Sequence, residues 1–117
     1  MSGIVFFRTE ELQALKEFYQ NRIGADLWRD QGRCLIFDND GFKFAFCKTD
    51  EEPETCGVLT FLYDSKDEVD VVHRKLEDIS VSEPVSRKPE FDIYQFYGKD
   101  PEGRTLEFQC FLDREAG

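Results

Sequence analysis

The chain repeats itself. Aligning Gly41 with Gly103 lays Phe42-Lys43-Phe44-Ala45-Phe46 on Arg104-Thr105-Leu106-Glu107-Phe108. Aligning two helix starts lays Ile4-Val5-Phe6-Phe7-Arg8 on Val58-Leu59-Thr60-Phe61-Leu62. Each half reads strand, helix, then three strands, with a period of about half of the 117 residues. Short connections favour antiparallel neighbours within each half. A module of this kind covers one sheet face with its helix and turns the other towards a cleft. The expected organisation is a single domain, 1–117, with module one at about 1–50, an acidic linker carrying Pro53 at about 48–56, and module two at about 57–113. A chain of this length buries one modest core.

The local signals agree with that frame. Ile4 to Arg8 is β-prone, and Thr9 is placed to cap a helix whose apolar positions are Leu12, Leu15, Phe18 or Tyr19, and Ile23, with Gly24 as its stop. Leu27 to Arg29 and Arg33 to Phe37 read as short strands. The turn Asp38-Asn39-Asp40-Gly41 leads into an alternating strand, Phe42 to Cys47. In the second half, Gly57 to Tyr63 is a strand and Ser65-Lys66-Asp67-Glu68 has the capping-box pattern. Val69, Val72, Leu76 and Ile79 form its helix stripe. Ser80 to Pro89, with two prolines, is a loop or weak strand.

The end of the chain carries the most specific motif. Tyr94-Gln95-Phe96-Tyr97-Gly98-Lys99 runs into the turn Asp100-Pro101-Glu102-Gly103, then Arg104-Thr105-Leu106-Glu107-Phe108-Gln109-Cys110. Alternation puts Leu106, Phe108 and Cys110 on one face and Thr105, Glu107 and Gln109 on the other. A carboxylate at Glu107, amid aromatic neighbours, is costly unless paired. This stretch resembles the closing strand pair of the vicinal oxygen chelate superfamily, which includes glyoxalases, extradiol dioxygenases and bleomycin-resistance proteins. With the duplication, the resemblance covers essentially the whole chain. It implies an α+β fold in which two βαβββ modules form a curved mixed-sheet half-barrel around a cleft, and a homodimer.

Metal-using members of that superfamily take ligands from the first and last strands of each module, and the closing-strand glutamate is one of them. Carried onto this chain, the positions are Ile4, Val58, Ala45 and Glu107. Glu107 alone binds metals. One carboxylate holds a divalent ion poorly. No cofactor is expected, and a divalent metal is disfavoured. If a metal binds, Cys47 and Cys56, which share strand faces with ligand positions, join Glu107. The four cysteines (Cys34, Cys47, Cys56, Cys110) lack close metal-binding spacing and read as reduced thiols in a cytoplasm. His73, the only histidine, falls off the apolar stripe of the second helix and reads as a partly exposed helix residue.

Glu107 has two readings. In one it is satisfied structurally by Arg8, Lys43 or Arg33 across the cleft. In the other it is a general base or the counter-ion of a cationic ligand. The ligand-binding candidates are Phe6, Arg8, Lys43, Thr60, Tyr94, Phe96, Glu107 and Gln109, and the catalytic candidate is Glu107. Phe42, Phe44, Phe46, Phe7 and Phe61 are expected beneath the helices. Phe6, Trp28, Phe37, Tyr94, Phe96 and Tyr97 are too many for that space, so some should line the cleft or a subunit contact. A formal charge of −10 repels phosphate backbones and anionic lipid, so neither nucleic acid nor membrane is an expected partner. The expectation is a protein that binds a small organic molecule, planar or cationic, without a metal. The alternative is a glyoxalase-like lyase or isomerase using Glu107 as base or metal ligand.

Overall fold

The computed structural model describes residues 2–87 and 90–112, and the chain divides into two compact units, Met1–Thr55 and Cys56–Gly117. The first contains β1 (Ile4–Thr9), α1 (Leu12–Glu17) continued by a π-helical stretch (Phe18–Ile23), β2 (Asp26–Asp30), β3 (Cys34–Asn39) and β4 (Phe42–Lys48). The second contains β5 (Val58–Leu62), α2 (Lys66–Lys75), β6 (Val85–Arg87), β7 (Ile93–Lys99) and β8 (Thr105–Phe111). The sheet orders are β1-β4-β3-β2 and β5-β8-β7-β6. In each, the first strand runs parallel to the last and the remaining pairs are antiparallel. This is the expected α+β architecture of two βαβββ modules.

Packing in the first unit centres on Tyr19. Its ring lies 5.0 Å from Phe46, 5.1 Å from Phe44 and 5.8 Å from Phe37, all of them buried. Phe18 is buried beside it. Two consecutive residues cannot both point straight at a sheet from a 3.6-residue helix, and the wider π turn relieves that conflict. Gly24 then closes the helix at φ 86°, and the Ala25 N–H donates to the Tyr19 carbonyl at 2.9 Å. Thr9 is not the cap. Its hydroxyl accepts from the Glu11 N–H at 2.9 Å, a local turn that orients the chain before Glu11 takes the cap position without a side-chain bond. Phe37, one of the six aromatics of which some were expected at the cleft or a subunit contact, belongs to this core.

The second unit uses its capping box. Ser65 Oγ accepts from the Glu68 N–H at 3.2 Å, while Glu68 reaches back to the Asp64 N–H. Acidic Asp67 and Glu68 in the first turn and basic Arg74 and Lys75 in the last suit the helix dipole. Val69 and Leu76 are buried over Leu59, Phe61, Phe96, Leu106 and Phe108. His73 is largely covered and meets the Phe96 ring edge-on at 4.9 Å. The β7–β8 turn holds a buried ion cluster. Arg104, with no solvent exposure, donates to Asp100 at 2.8 Å and to Glu102 at 3.1 Å. Asp100 also accepts from the Arg104 and Glu102 N–H groups. Such a cluster makes the turn intolerant of losing either charge.

One cysteine expectation needs correction. Cys34 and Cys47 stand directly opposite each other on β3 and β4, with Cα atoms 4.1 Å apart, and are joined by a disulfide. Cys47 is therefore not an available thiolate ligand. Cys56 is exposed and Cys110 is buried, and neither is in a disulfide among the described residues.

Candidate functional site

The helix-free face of the second sheet carries the polar residues. β8 alternates strictly, with Leu106, Phe108 and Cys110 buried and Thr105, Glu107 and Gln109 half-buried. Pairing then sets the neighbours: Thr60 lies opposite Glu107 across the parallel β5 pair, and Tyr97 lies opposite it across the antiparallel β7 pair. The Thr60 hydroxyl donates to Glu107 Oε1 at 2.8 Å, and Gln95 Nε2 donates to Oε2 at 3.0 Å. These are hydrogen bonds to an ionised group, of the kind that contribute about 1.5–3 kcal/mol each. Both donors belong to its own sheet. Arg8 pairs with Glu51 and Glu54, Lys43 with Asp38, and Arg33 donates to the Lys48 carbonyl.

Around Glu107 the face forms a concavity of about 350 Å³, lined by Gln95, Tyr97, Gln109, Ile93, Arg87, Phe91 and Phe111 as well. Its volume is at the small end of the range for ligand sites. Gln95, 1 % exposed, donates an amide hydrogen to Glu107, but its Oε1 is buried without a hydrogen-bond partner among the described residues. Buried orphan acceptors are uncommon in native proteins.

Two sequence candidates leave this site. Tyr94 and Phe96 lie on the opposite face of β7, towards α2. The Tyr94 hydroxyl donates to Asp70 at 2.6 Å, which pushes its pKa up to about 12, and Phe96 stacks on Phe108 at 4.8 Å. The physical reason is register. β7 carries aromatics on both faces, and a shift of one residue exchanges them. Tyr97 and Gln95 take the places expected for Tyr94 and Phe96. Thr60, Glu107 and Gln109 stand together as anticipated. Phe91, Phe111, Ile93 and Arg87 were missed, although counting pairs outwards from the turn would have found Ile93 opposite Phe111.

Phe6, Arg8 and Lys43 belong to the first unit. There Phe6 pairs with Ala45, which in turn faces Ile36, so the register place of Glu107 is apolar. Phe6 is 51 % exposed and Ala45 is buried. Trp28, at the irregularity in β2, has Arg29 and Lys43 over its ring at 4.8 and 5.1 Å. Among the described residues, no group of three or more His, Cys, Asp and Glu side chains is placed to hold a metal ion. The donor set at Glu107, one carboxylate flanked by a hydroxyl and an amide, is a poor one for a divalent ion. Cys56 precedes β5 and forms no cluster with Glu107. Among the described residues, no helix is long and apolar enough to cross a membrane.

No sequence-family model and no curated protein matches the chain. Solved structures do. A glyoxalase/bleomycin resistance protein/dioxygenase from Nocardioides is 21 % identical, with a TM-score of 0.76 over 97 % of this chain and 84 % of its own. An integron cassette protein from the mobile metagenome of a Halifax Harbour sewage outfall is 21 % identical, with a TM-score of 0.80 over 94 % and 97 %. A lactoylglutathione lyase from Agrobacterium tumefaciens is 19 % identical, with a TM-score of 0.75 over 94 % and 92 %. At these identities the likeness is one of fold.

Proposed function

We propose that this chain, which has the fold of the glyoxalase/bleomycin-resistance/dioxygenase proteins, binds a small organic molecule on the helix-free face of its second sheet, without a metal. The observation that carries this reading is Glu107, a carboxylate held by two neutral donors at the base of a concavity with aromatic walls. Neutral donors orient a carboxylate but leave its charge uncompensated, which suits a ligand bringing a positive or strongly donating group. Tyr97, Phe91 and Phe111 offer the apolar contact.

The test is a titration of metal-stripped, ¹⁵N-labelled protein with a panel of planar and cationic compounds, read at the β7 and β8 amides. Saturable shifts there that Glu107→Gln weakens at least tenfold support the reading. A panel that leaves these amides unmoved overturns it. Because Glu107 forms no ion pair among the described residues, a lyase or isomerase using it as base is the second reading. Turnover by the metal-stripped protein that Glu107→Gln abolishes, with ligand affinity kept, would select it. We further propose a homodimer, because β1 carries exposed Ile4, Val5 and Phe6 on a strand at the edge of its sheet. Sedimentation equilibrium decides that point, with a monomer at all concentrations as the contrary result.

A further inference from the structure

We infer that the concavity takes a zwitterion of dipeptide size, its cationic nitrogen on Glu107, its carboxylate on Arg87, and its apolar middle against Tyr97, Phe91 and Phe111. This rests on the proposed small-molecule site and adds what the ligand carries at its two ends.

The floor is short of donors. An ionised carboxylate offers about four acceptor positions. On Glu107, Thr60 and Gln95 fill two of them. Gln95 Oε1 adds an acceptor with no hydrogen-bond partner among the described residues. A ligand group that only accepts would leave all of these unmet, whereas an ammonium brings three donors and the charge that Glu107 lacks beside it. Burying such a cation is tolerable here because the counter-charge is already oriented.

The rim carries the opposite charge. Arg87 lies opposite Ile93 on β7, and Ile93 lies opposite Phe111 on β8, so the pleat directs Arg87 to the same face as Glu107. Both line the one concavity. Arg87 is exposed, and its guanidinium makes no ion pair among the described residues. The two charges do not neutralise each other, since they stand two strands and four residues apart. That places their backbones on the order of 16 Å apart, at strand spacings of about 4.8 Å and rises of about 3.3 Å. Side chains on one sheet face project roughly perpendicular to it, so the long Arg87 side chain narrows that separation without closing it. An α-amino acid is too short to span this gap, and a dipeptide or an aromatic ω-amino acid fits it. A ligand with only a cation meets repulsion from Arg87, and one with only a carboxylate meets repulsion from Glu107 and from the −10 charge of the chain. The small volume argues against anything much larger.

A matched probe set tests this: glycylphenylalanine, its C-terminal amide, its N-acetyl form, and the form blocked at both ends, each titrated against ¹⁵N-labelled protein. The expected result is that the zwitterion binds at least tenfold tighter than either singly charged form. Glu107→Gln should erase its advantage over the N-acetyl form, and Arg87→Gln its advantage over the amide. Arg87 is exposed, so R87Q folds whatever becomes of E107Q. If all four probes move the β7 and β8 amides with equal affinity, or R87Q leaves the ranking intact, the zwitterion is overturned and the small-molecule site stands. If neither these probes nor the planar and cationic panel moves those amides, both fail.

Discussion

Residue for residue, the two units place different chemistry on the same frame. The strand pair Cys34/Cys47 of the first occupies the register place of Gln95/Gln109 in the second, two residues from Ala45 and Glu107 respectively. Phe6 beside Ala45 corresponds to Thr60 beside Glu107. On the helix-facing side the units agree: Phe44 and Phe46 match Leu106 and Phe108, and all four are buried. The helix side is where the hydrophobic drive to fold resides, so it tolerates little beyond exchange among apolar residues. The other side is constrained by what the sheet must meet, and there one unit carries a covalent staple and the other a hydrogen-bonded carboxylate. Function, in the reading proposed above, follows the side that diverges.

The sharpest way to break the comparison is at the β-turns. Phe42 follows the turn in the first unit where Arg104 follows it in the second. Arg104→Ala leaves Asp100 and Glu102 buried with no countercharge and should cost about 3–5 kcal/mol, read as a fall in the urea midpoint. In the first unit, Asp38 accepts from the exposed Gly41 N–H and forms a loose ion pair with Lys43 at 3.9 Å. Asp38→Ala should cost about 1 kcal/mol or less. Equal losses would mean that the Arg104 cluster is not the anchor its burial implies.

The covalent staple comes next. The Cys34–Cys47 bond closes a loop with a sequence separation of 13, and Cys34→Ser with Cys47→Ser should cost about 2–3 kcal/mol on the chain-entropy account. Thiol titration of the native, unreduced protein should find Cys56 reacting fast and Cys110 only on unfolding. Four fast thiols would remove the staple from the comparison.

A smaller effect is expected at Glu107 itself. Glu107→Ala strands the Thr60 hydroxyl and the Gln95 amide and should cost about 1–3 kcal/mol. The same carboxylate introduced by Ala45→Glu, among apolar neighbours, should cost more. If Ala45→Glu is the milder of the two in denaturant melts, the apolar character assigned to the first unit's face is wrong.

The smallest effect is a pH dependence in the second unit. Burial first, and the Glu68 charge second, push the Tyr63 phenol from 10.0 up to about 12. The hydrogen bond to Asp70 is the leading cause that takes Tyr94 to about 12. The folded state therefore keeps these protons where the unfolded chain has lost them. Their contribution to stability is complete below pH 10 and is lost as the pH rises towards 12. Ultraviolet titration should show Tyr63 and Tyr94 among the late phenols, and Tyr94→Phe should remove one late phenol from the count. An unchanged number of late phenols in Tyr94→Phe would reassign the effect.

Much of this was legible in the chain. The repeat, the helix stripes, the Ser65 cap, the Gly24 stop and the alternation of β8 all follow from patterns that local physics enforces. The register of β7 was legible too. Stepping back from the Asp100–Gly103 turn in time with Thr105, Glu107 and Gln109 reaches Lys99, Tyr97 and Gln95 rather than Tyr94 and Phe96. The same count from the Asp40-Gly41 turn brings Cys34 opposite Cys47. Arg104 was not legible, because an arginine beside acidic turn residues has the look of an ordinary surface ion pair. Its burial is a tertiary fact. Arg87 was hidden for a related reason: a three-residue strand among prolines has too little periodicity to announce which way it faces.

The parallel pairing of first and last strands sets a timetable for synthesis. β1 leaves the ribosome with no strand to join, and Phe6 must wait for Ala45 before its backbone is satisfied. The N-terminal unit is then complete while β5 to β8 are still untranslated, since none of its sheet partners lies beyond Lys48. β5 waits in its turn for β8, the last strand of its own sheet to be made. A nascent chain stalled just before Thr105 would carry one finished unit and one unpaired strand with exposed Val58 and Leu62, and that is the stage at which aggregation threatens this protein most.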